Sequence, residues 1–163
     1  MKTLFLLRHA KSSGKDESLP DFERPLHRRG KRAAATLGQY IRANEILLEL
    51  ILSSPAVKAR ETAERVLKSA KLDTELRYDH RIYDASAARL TEVVSQIDND
   101  RRVVMIVGHN PGVEELLSFL TGNSVEAPTA SLAKLTSRAT RWSTLAREGK
   151  ATLEWLIKPR ELE

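Results

Sequence analysis

Two runs in this chain are apolar at nearly every position instead of every second one. Residues 103–107 read Val-Val-Met-Ile-Val, and residues 3–7 read Thr-Leu-Phe-Leu-Leu. A strand with one face in water alternates apolar and polar side chains, whereas a strand covered on both faces does not. Such strands belong in a mostly parallel sheet with helices on each side. The intervening segments fit that frame. Residues 28–42 contain the Ala-rich run KRAAATLGQYIR and predict a helix, and residues 46–52 predict a second strand. Ser53-Ser54-Pro55 then opens a helix, with Ser54 as N-cap and Pro55 at the first helical position. Ala56, Ala59, Ala63, Val66, Leu67 and Ala70 share one face of it.

Residues 75–78 predict a short third strand, and residues 86–97 a helix striped by Leu90, Val93, Val94 and Ile97. After 103–107, Pro111 starts a helix carrying Val113, Leu116, Leu117 and Leu120. Residues 130–135 and 151–157 predict two closing strands, for which antiparallel pairing is open. Residues 11–27, with Gly14, Pro20, Pro25 and many charges, predict a long loop. The expected fold is α/β, a three-layer sandwich with a mostly parallel central sheet flanked by helices. A single domain over residues 1–163 fits the length.

Composition narrows the chemistry. The chain has no cysteine, which excludes a disulfide scaffold, a thiolate metal site and a thiol nucleophile. The four apolar residues Leu4–Leu7 ahead of Arg8 are too few for a secretory signal, and no run approaches a membrane span. A soluble cytoplasmic protein is expected. The 27 Lys and Arg against 22 Asp and Glu leave a charge of +5, compatible with nucleic acid or an anionic substrate. Aromatics are only 5%, and no RNP-type or helix-turn-helix signature occurs, so neither nucleic acid nor membrane is an expected partner.

In open α/β sheets ligands bind beyond the carboxyl ends of the strands. The first predicted strand ends in Arg8-His9, the second in Ser53-Ser54-Pro55 with Lys58 and Arg60 close behind, and the fourth in Gly108-His109-Asn110. Two of the four histidines therefore stand at strand ends with cations beside them. Helix N-termini point at the same edge and add N–H donors. The combination favours an anion, above all a phosphoryl group. Two histidines among cations are too few ligands for a divalent metal, and no metal or cofactor is called for. No G-x-S-x-G elbow or P-loop occurs.

These blocks carry a resemblance. LFLLRHAKSS resembles the R-H-G/A signature of the histidine phosphatase superfamily, which includes the phosphoglycerate mutases. SSPAVKARETAE is similar to that superfamily's second block, of the form S-S-P-x-x-R-A-x-Q-T-A, and VMIVGHNPGVEEL to the block with its second histidine. DFERPLHRRG, APTASLAKL and the short length resemble the SixA-type phosphohistidine phosphatases. The resemblance implies a phosphatase in which His9 is the catalytic nucleophile, with Arg8 and His109 beside it in the phosphate pocket. The pocket's second arginine is matched by Lys58, which keeps the charge and loses the planar fork. Arg60, two residues on, is the alternative for that role, although it should face away from Lys58.

It further implies a phosphorylated substrate, foremost a histidine-phosphorylated protein, and affinity for phosphate or other oxyanions. A small-molecule phosphomonoesterase, or a weakly active phosphate-dependent binding module, are the alternative readings. Asp79 and Asp84 are the candidates for a general acid, with Asp84 equally placed to cap the helix at 86–97. His27 and His80 have no expected role. Ser12 and Ser13 could contact phosphate or only shape a turn. Arg28, Arg29, Lys31 and Arg32 form a basic run without an assigned use. Trp142 and Trp155 are expected in the core.

Overall fold

The two all-apolar runs lie side by side at the centre of a six-stranded sheet. The structure is a computed structural model and describes residues 1–14 and 18–162. The strands are β1 (Lys2–Arg8), β2 (Leu50–Ser53), β3 (Glu75–Tyr78), β4 (Val103–Gly108), β5 (Leu132–Ser137) and β6 (Thr152–Ile157). Their order across the sheet is β3-β2-β4-β1-β5-β6. β1 and β4 pair in parallel, with Leu4 beside Val104 and Leu7 beside Val107. β2 is parallel to both β3 and β4. β5 is antiparallel to β1 and to β6. Only β5 thus runs against the rest, and β6 ends at the same edge as β1.

Helices cover both faces, which is why the central strands need not alternate. α1 (Arg28–Ala43) and α2 (Val57–Ala70) lie over Phe5, Leu7, Ile51, Met105 and Val107. α3 (Ala87–Ser95), α4 (Gly112–Thr121) and the short α5 (Trp142–Leu145) lie over Leu4, Leu6, Leu52, Val104 and Ile106. Each such leucine or isoleucine, fully buried, contributes about 1.5–3 kcal/mol. α1 and α2 approach closely at Gly38, where a Cβ would fall 2.5 Å from Ser69 Cβ. Trp142 is fully buried, and Trp155 packs its ring against Phe5 and Tyr40.

Several boundaries differ from the sequence reading. β2 begins at Leu50, not at residue 46. Glu45 adopts φ 54°, and the Ile46 N–H donates back to the Ile41 carbonyl, so residues 46–49 are spent closing α1 and crossing to the sheet. α2 is capped by Ala56, two residues past the expected Ser54, because the Ser54 hydroxyl accepts from the Ala56 N–H and meets His109. α3 is capped by Ser86, whose hydroxyl accepts from the Arg89 N–H, which overturns the cap reading of Asp84. α5 is four residues long and too short to register as a period. The loop expected at 11–27 includes residues 15–17, which lie outside the described residues. Its two described ends are drawn together by a bridge between Ser12 and Leu26.

Candidate active site

β1 and β4 end side by side, with Arg8 opposite Gly108, so the next residue of each strand is a histidine. The His9 and His109 ring centres lie 5.0 Å apart. They line a recess of about 140 Å³ with Asp21, Lys58, Tyr83, Asp84 and Asn110. Sites for drug-sized ligands run to about 300–1,000 Å³. This recess has room for a phosphoryl group and little else.

His9 is 9% exposed, and its Nδ1 lies 2.7 Å from the Ala10 carbonyl oxygen. A carbonyl only accepts, so Nδ1 carries the proton and Nε2 keeps its lone pair. Burial brings the imidazole down to about 4, and the Lys58 and Arg8 charges act in the same direction against the Ala10 hydrogen bond and Asp21. His9 is therefore neutral near pH 7. His109 is brought to about 3 by burial, then by His9 and Lys58. Its Nε2 lies 2.8 Å from Ser54 Oγ, so the strand-end serine orients an imidazole instead of capping a helix. The Tyr83 ring stands edge-on to His109 at 5.3 Å.

Lys58 is 6% exposed, and its Nζ donates to Asp21 Oδ1 at 2.5 Å. Tyr83 Oη donates to the other oxygen of Asp21 at 2.9 Å. The Lys58 hydrogen bond, helped by that of Tyr83, holds the Asp21 carboxyl below its usual range against the opposing effect of burial, which outweighs the Tyr83 contribution alone. Arg60 is absent from the recess and pairs with Glu64 at 3.9 Å. Arg8 donates from Nη1 to the Ala127 carbonyl at 3.0 Å, and its buried Nε has no partner, a donor left over beside His9. Two contacts fix this geometry from behind. Thr62 Oγ1 accepts from the Ala10 N–H at 3.1 Å and donates to the Lys58 carbonyl at 2.6 Å, tying α2 to the end of β1. A Cβ at Gly30 would fall 2.2 Å from the Lys11 carbonyl oxygen, so α1 presses directly on the segment after His9.

The two acid candidates separate. Asp79 caps the 3-10 turn His80–Ile82 and is tied to Arg81 at 2.8 Å, which lowers its carboxyl and leaves it off the recess. Asp84 does line the recess, held there at φ 49°. Ser12 and Ser13 lie off it, engaged by backbone pairing to Leu26 and Pro25. His27 has a structural use, since its Nδ1 caps α1 by accepting from Arg29 N–H. His80 is exposed. Asp21, Tyr83 and Thr62 escaped the sequence reading. Asp21 and Thr62 sit inside the quoted blocks DFERPLHRRG and SSPAVKARETAE, so block membership was the signal available.

Among the described residues no group of three or more His, Cys, Asp or Glu is placed to hold a metal. No described helix is long and apolar enough to cross a membrane.

The histidine phosphatase superfamily (branch 1) profile matches residues 4–85, a stretch that carries the His9, Asp21, Lys58 and Asp84 positions. The chain belongs to the histidine phosphatase superfamily. An uncharacterised chloroplastic protein of Arabidopsis thaliana is 32% identical over 97% of this chain and 78% of its own length. Among solved structures, a candidate phosphohistidine phosphatase SixA of Agrobacterium tumefaciens is 25% identical with a TM-score of 0.83, covering 97% of this chain and 98% of that one. A protein histidine phosphatase SixA complexed with tungstate has a TM-score of 0.84 at 20% identity, covering 99% of each chain. This superfamily member has the SixA-type fold and is a histidine-nucleophile phosphatase.

Proposed function

We propose that this phosphatase hydrolyses phosphohistidine on a protein, with His9 as the nucleophile. His9 Nε2 attacks phosphorus in line, the bond from phosphorus to the substrate imidazole nitrogen breaks, and the phosphoryl group passes to His9. The substrate imidazole, already protonated on its other ring nitrogen, takes the electron pair of the broken bond and leaves neutral. Water then attacks the phosphorylated His9, releasing inorganic phosphate and restoring the free imidazole. Arg8 and Lys58 neutralise the equatorial oxygens, and His109 donates to one of them. Phosphoryl transfer asks a protein mainly for such positioning and charge stabilisation.

One observation carries the choice of substrate. Of the two acids that line the recess, Asp21 is held ionised by Lys58 and Tyr83 and is not available to protonate a leaving group. The other, Asp84, is exposed to water. An alkyl phosphate expels an alkoxide and needs a strong acid at hand. A protonated phosphoramidate expels a neutral imidazole and does not. The small recess agrees, since it admits the phosphoryl group and leaves the carrier outside.

The test compares kcat/KM for a protein phosphorylated on histidine with that for phosphoserine and phosphoglycerate. The phosphohistidine protein should be preferred by about 100-fold or more, close to 3 kcal/mol of transition-state discrimination. A preference for either phosphomonoester would contradict the proposal.

A further inference from the structure

A cluster of cations beside the recess has no part in the chemistry above. A groove of about 270 Å³ runs between the start of α1 and the chain ends flanking β5 and β6. Lys11, Arg29, Lys158 and Arg160 line it around a floor that includes Ala33 and Pro159, and none of the described residues lining it is acidic. Among the described residues the side chains of Lys11, Arg29 and Arg160 make no ion pair or hydrogen bond, and Lys158 reaches only Glu161, at 4.0 Å. Arg77, Arg81 and Arg101 are engaged by carboxylates of this chain, whereas Arg65, Arg138 and Arg147 are, among the described residues, as unpaired as the groove cations. What marks the groove is that four cations share it with no acidic residue among its described lining.

The register fixes where this groove lies. Leu7 on β1 is level with Leu132 on β5, and Leu132 with Ile157 on β6. Lys158 and Arg160 therefore leave the sheet at the same edge as His9, two strand spacings away, or roughly 10 Å. The Ala130 N–H donates to the His9 carbonyl at 3.1 Å, so one wall of the groove is bonded to the residue that lines the recess. A small phosphate ester seated in the recess is too short to use cations at that distance.

Resting on the phosphohistidine-protein reading, we infer that this groove docks an acidic segment of the protein substrate. Carboxylates of the segment meet Lys11, Arg29, Lys158 and Arg160, and an apolar side chain lies on the floor between them. This gives a use to Arg29, part of the basic run at the start of α1.

The test uses the Lys158→Glu/Arg160→Glu double variant and the single Arg160→Glu, whose position is exposed. Each is assayed on a small acidic protein phosphorylated on one histidine and on free phosphohistidine. At low salt the double variant should lose about tenfold in kcat/KM on the protein, through KM, and the single variant about threefold. Turnover of free phosphohistidine should stay within about twofold of the parent, and salt near 0.5 M should shrink the protein-specific loss. Equal losses on both substrates in the single variant, or no loss on the protein in either variant, would overturn the docking site. If the parent enzyme cleaves phosphomonoesters but neither phosphohistidine substrate, the substrate reading fails first and the docking site with it.

Discussion

The sheet has a buried lysine at each edge, and the two are held in opposite ways. At the amino edge Lys2 is 3% exposed. Its ammonium donates to the backbone carbonyls of Asn99 and Arg101 and lies 5.5 Å from the centre of the Trp142 ring. At the carboxyl edge Lys58 is 6% exposed and donates to the carboxylate of Asp21, whose side chain is 56% exposed. Backbone carbonyls cannot leave without breaking the turn that leads into β4. An exposed carboxylate can rotate into water and give up its place to another anion. A buried cation saturated by main chain is therefore a structural fixture, whereas one balanced by an exposed side chain is an exchangeable anion site. Under the proposed function Asp21, with its two oxygens shared between Lys58 and Tyr83, holds the place that a phosphoryl oxygen would take.

The sharpest way to break this contrast is Lys58→Met. Loss of one preorganised donor commonly costs 10²–10³ in kcat, and turnover should fall by about that factor while stability moves by less than about 1 kcal/mol. The mirror substitution, Lys2→Met, should leave turnover unchanged and lower unfolding stability by about 1–3 kcal/mol, because buried carbonyls lose their donor. Chemical denaturation of both variants alongside their kcat values checks the pair. An equal loss of activity in both would erase the distinction.

Acid should weaken the carboxyl edge specifically. Burial holds His9 at about 4 and His109 at about 3, below the value of 6.5 expected in the unfolded chain. Between those limits the unfolded chain binds protons that the native state refuses, so stability falls as pH drops below about 6.5. Thermal unfolding from pH 8 to pH 4 should show this slope, and His109→Asn should flatten it. Bound phosphate should flatten it too, since an anion beside the imidazoles favours their charged forms. The smallest effect is expected from Asp21→Asn. With the competing carboxylate charge gone, inorganic phosphate should inhibit at a concentration several-fold lower, measured by steady-state competition. Weaker inhibition would mean that Asp21 supports the anion site instead of filling it.

These edges were not equally legible in the amino-acid sequence. Runs covered on both faces gave away β1 and β4, and strand-end placement then singled out Arg8, His9 and His109. Lys58 followed from its position in a motif, and the 200° that separates it from Arg60 on a helix is simple geometry. Asp21, Tyr83 and Thr62 come from a 3-10 turn (Asp21–Glu23), an irregular turn and a helix interior, and only the folded chain brings them to one place. Asp79 and Asp84 looked alike as acids because nothing local distinguishes them. Arg81 claims the first, and a backbone at φ 49° turns the second into the recess. Ser54 and Ser86 show the same limit in reverse. Ser54 is a cap by sequence and is drawn away by a histidine 55 positions later, whereas Ser86 takes the capping place that the sequence offers to Asp84. The amino-edge site of Lys2 left no mark, since its partners are main-chain carbonyls that any residue supplies.

The central claim is that the exchangeable edge carries a phosphoryl group covalently on His9. Brief incubation with a ³²P-labelled phosphohistidine protein, an alkaline quench and peptide mapping tests it directly. The account predicts label that is stable in alkali, labile in acid and confined to the peptide containing His9, with none in His9→Ala. Label on another residue, or undiminished turnover in His9→Ala, would contradict it.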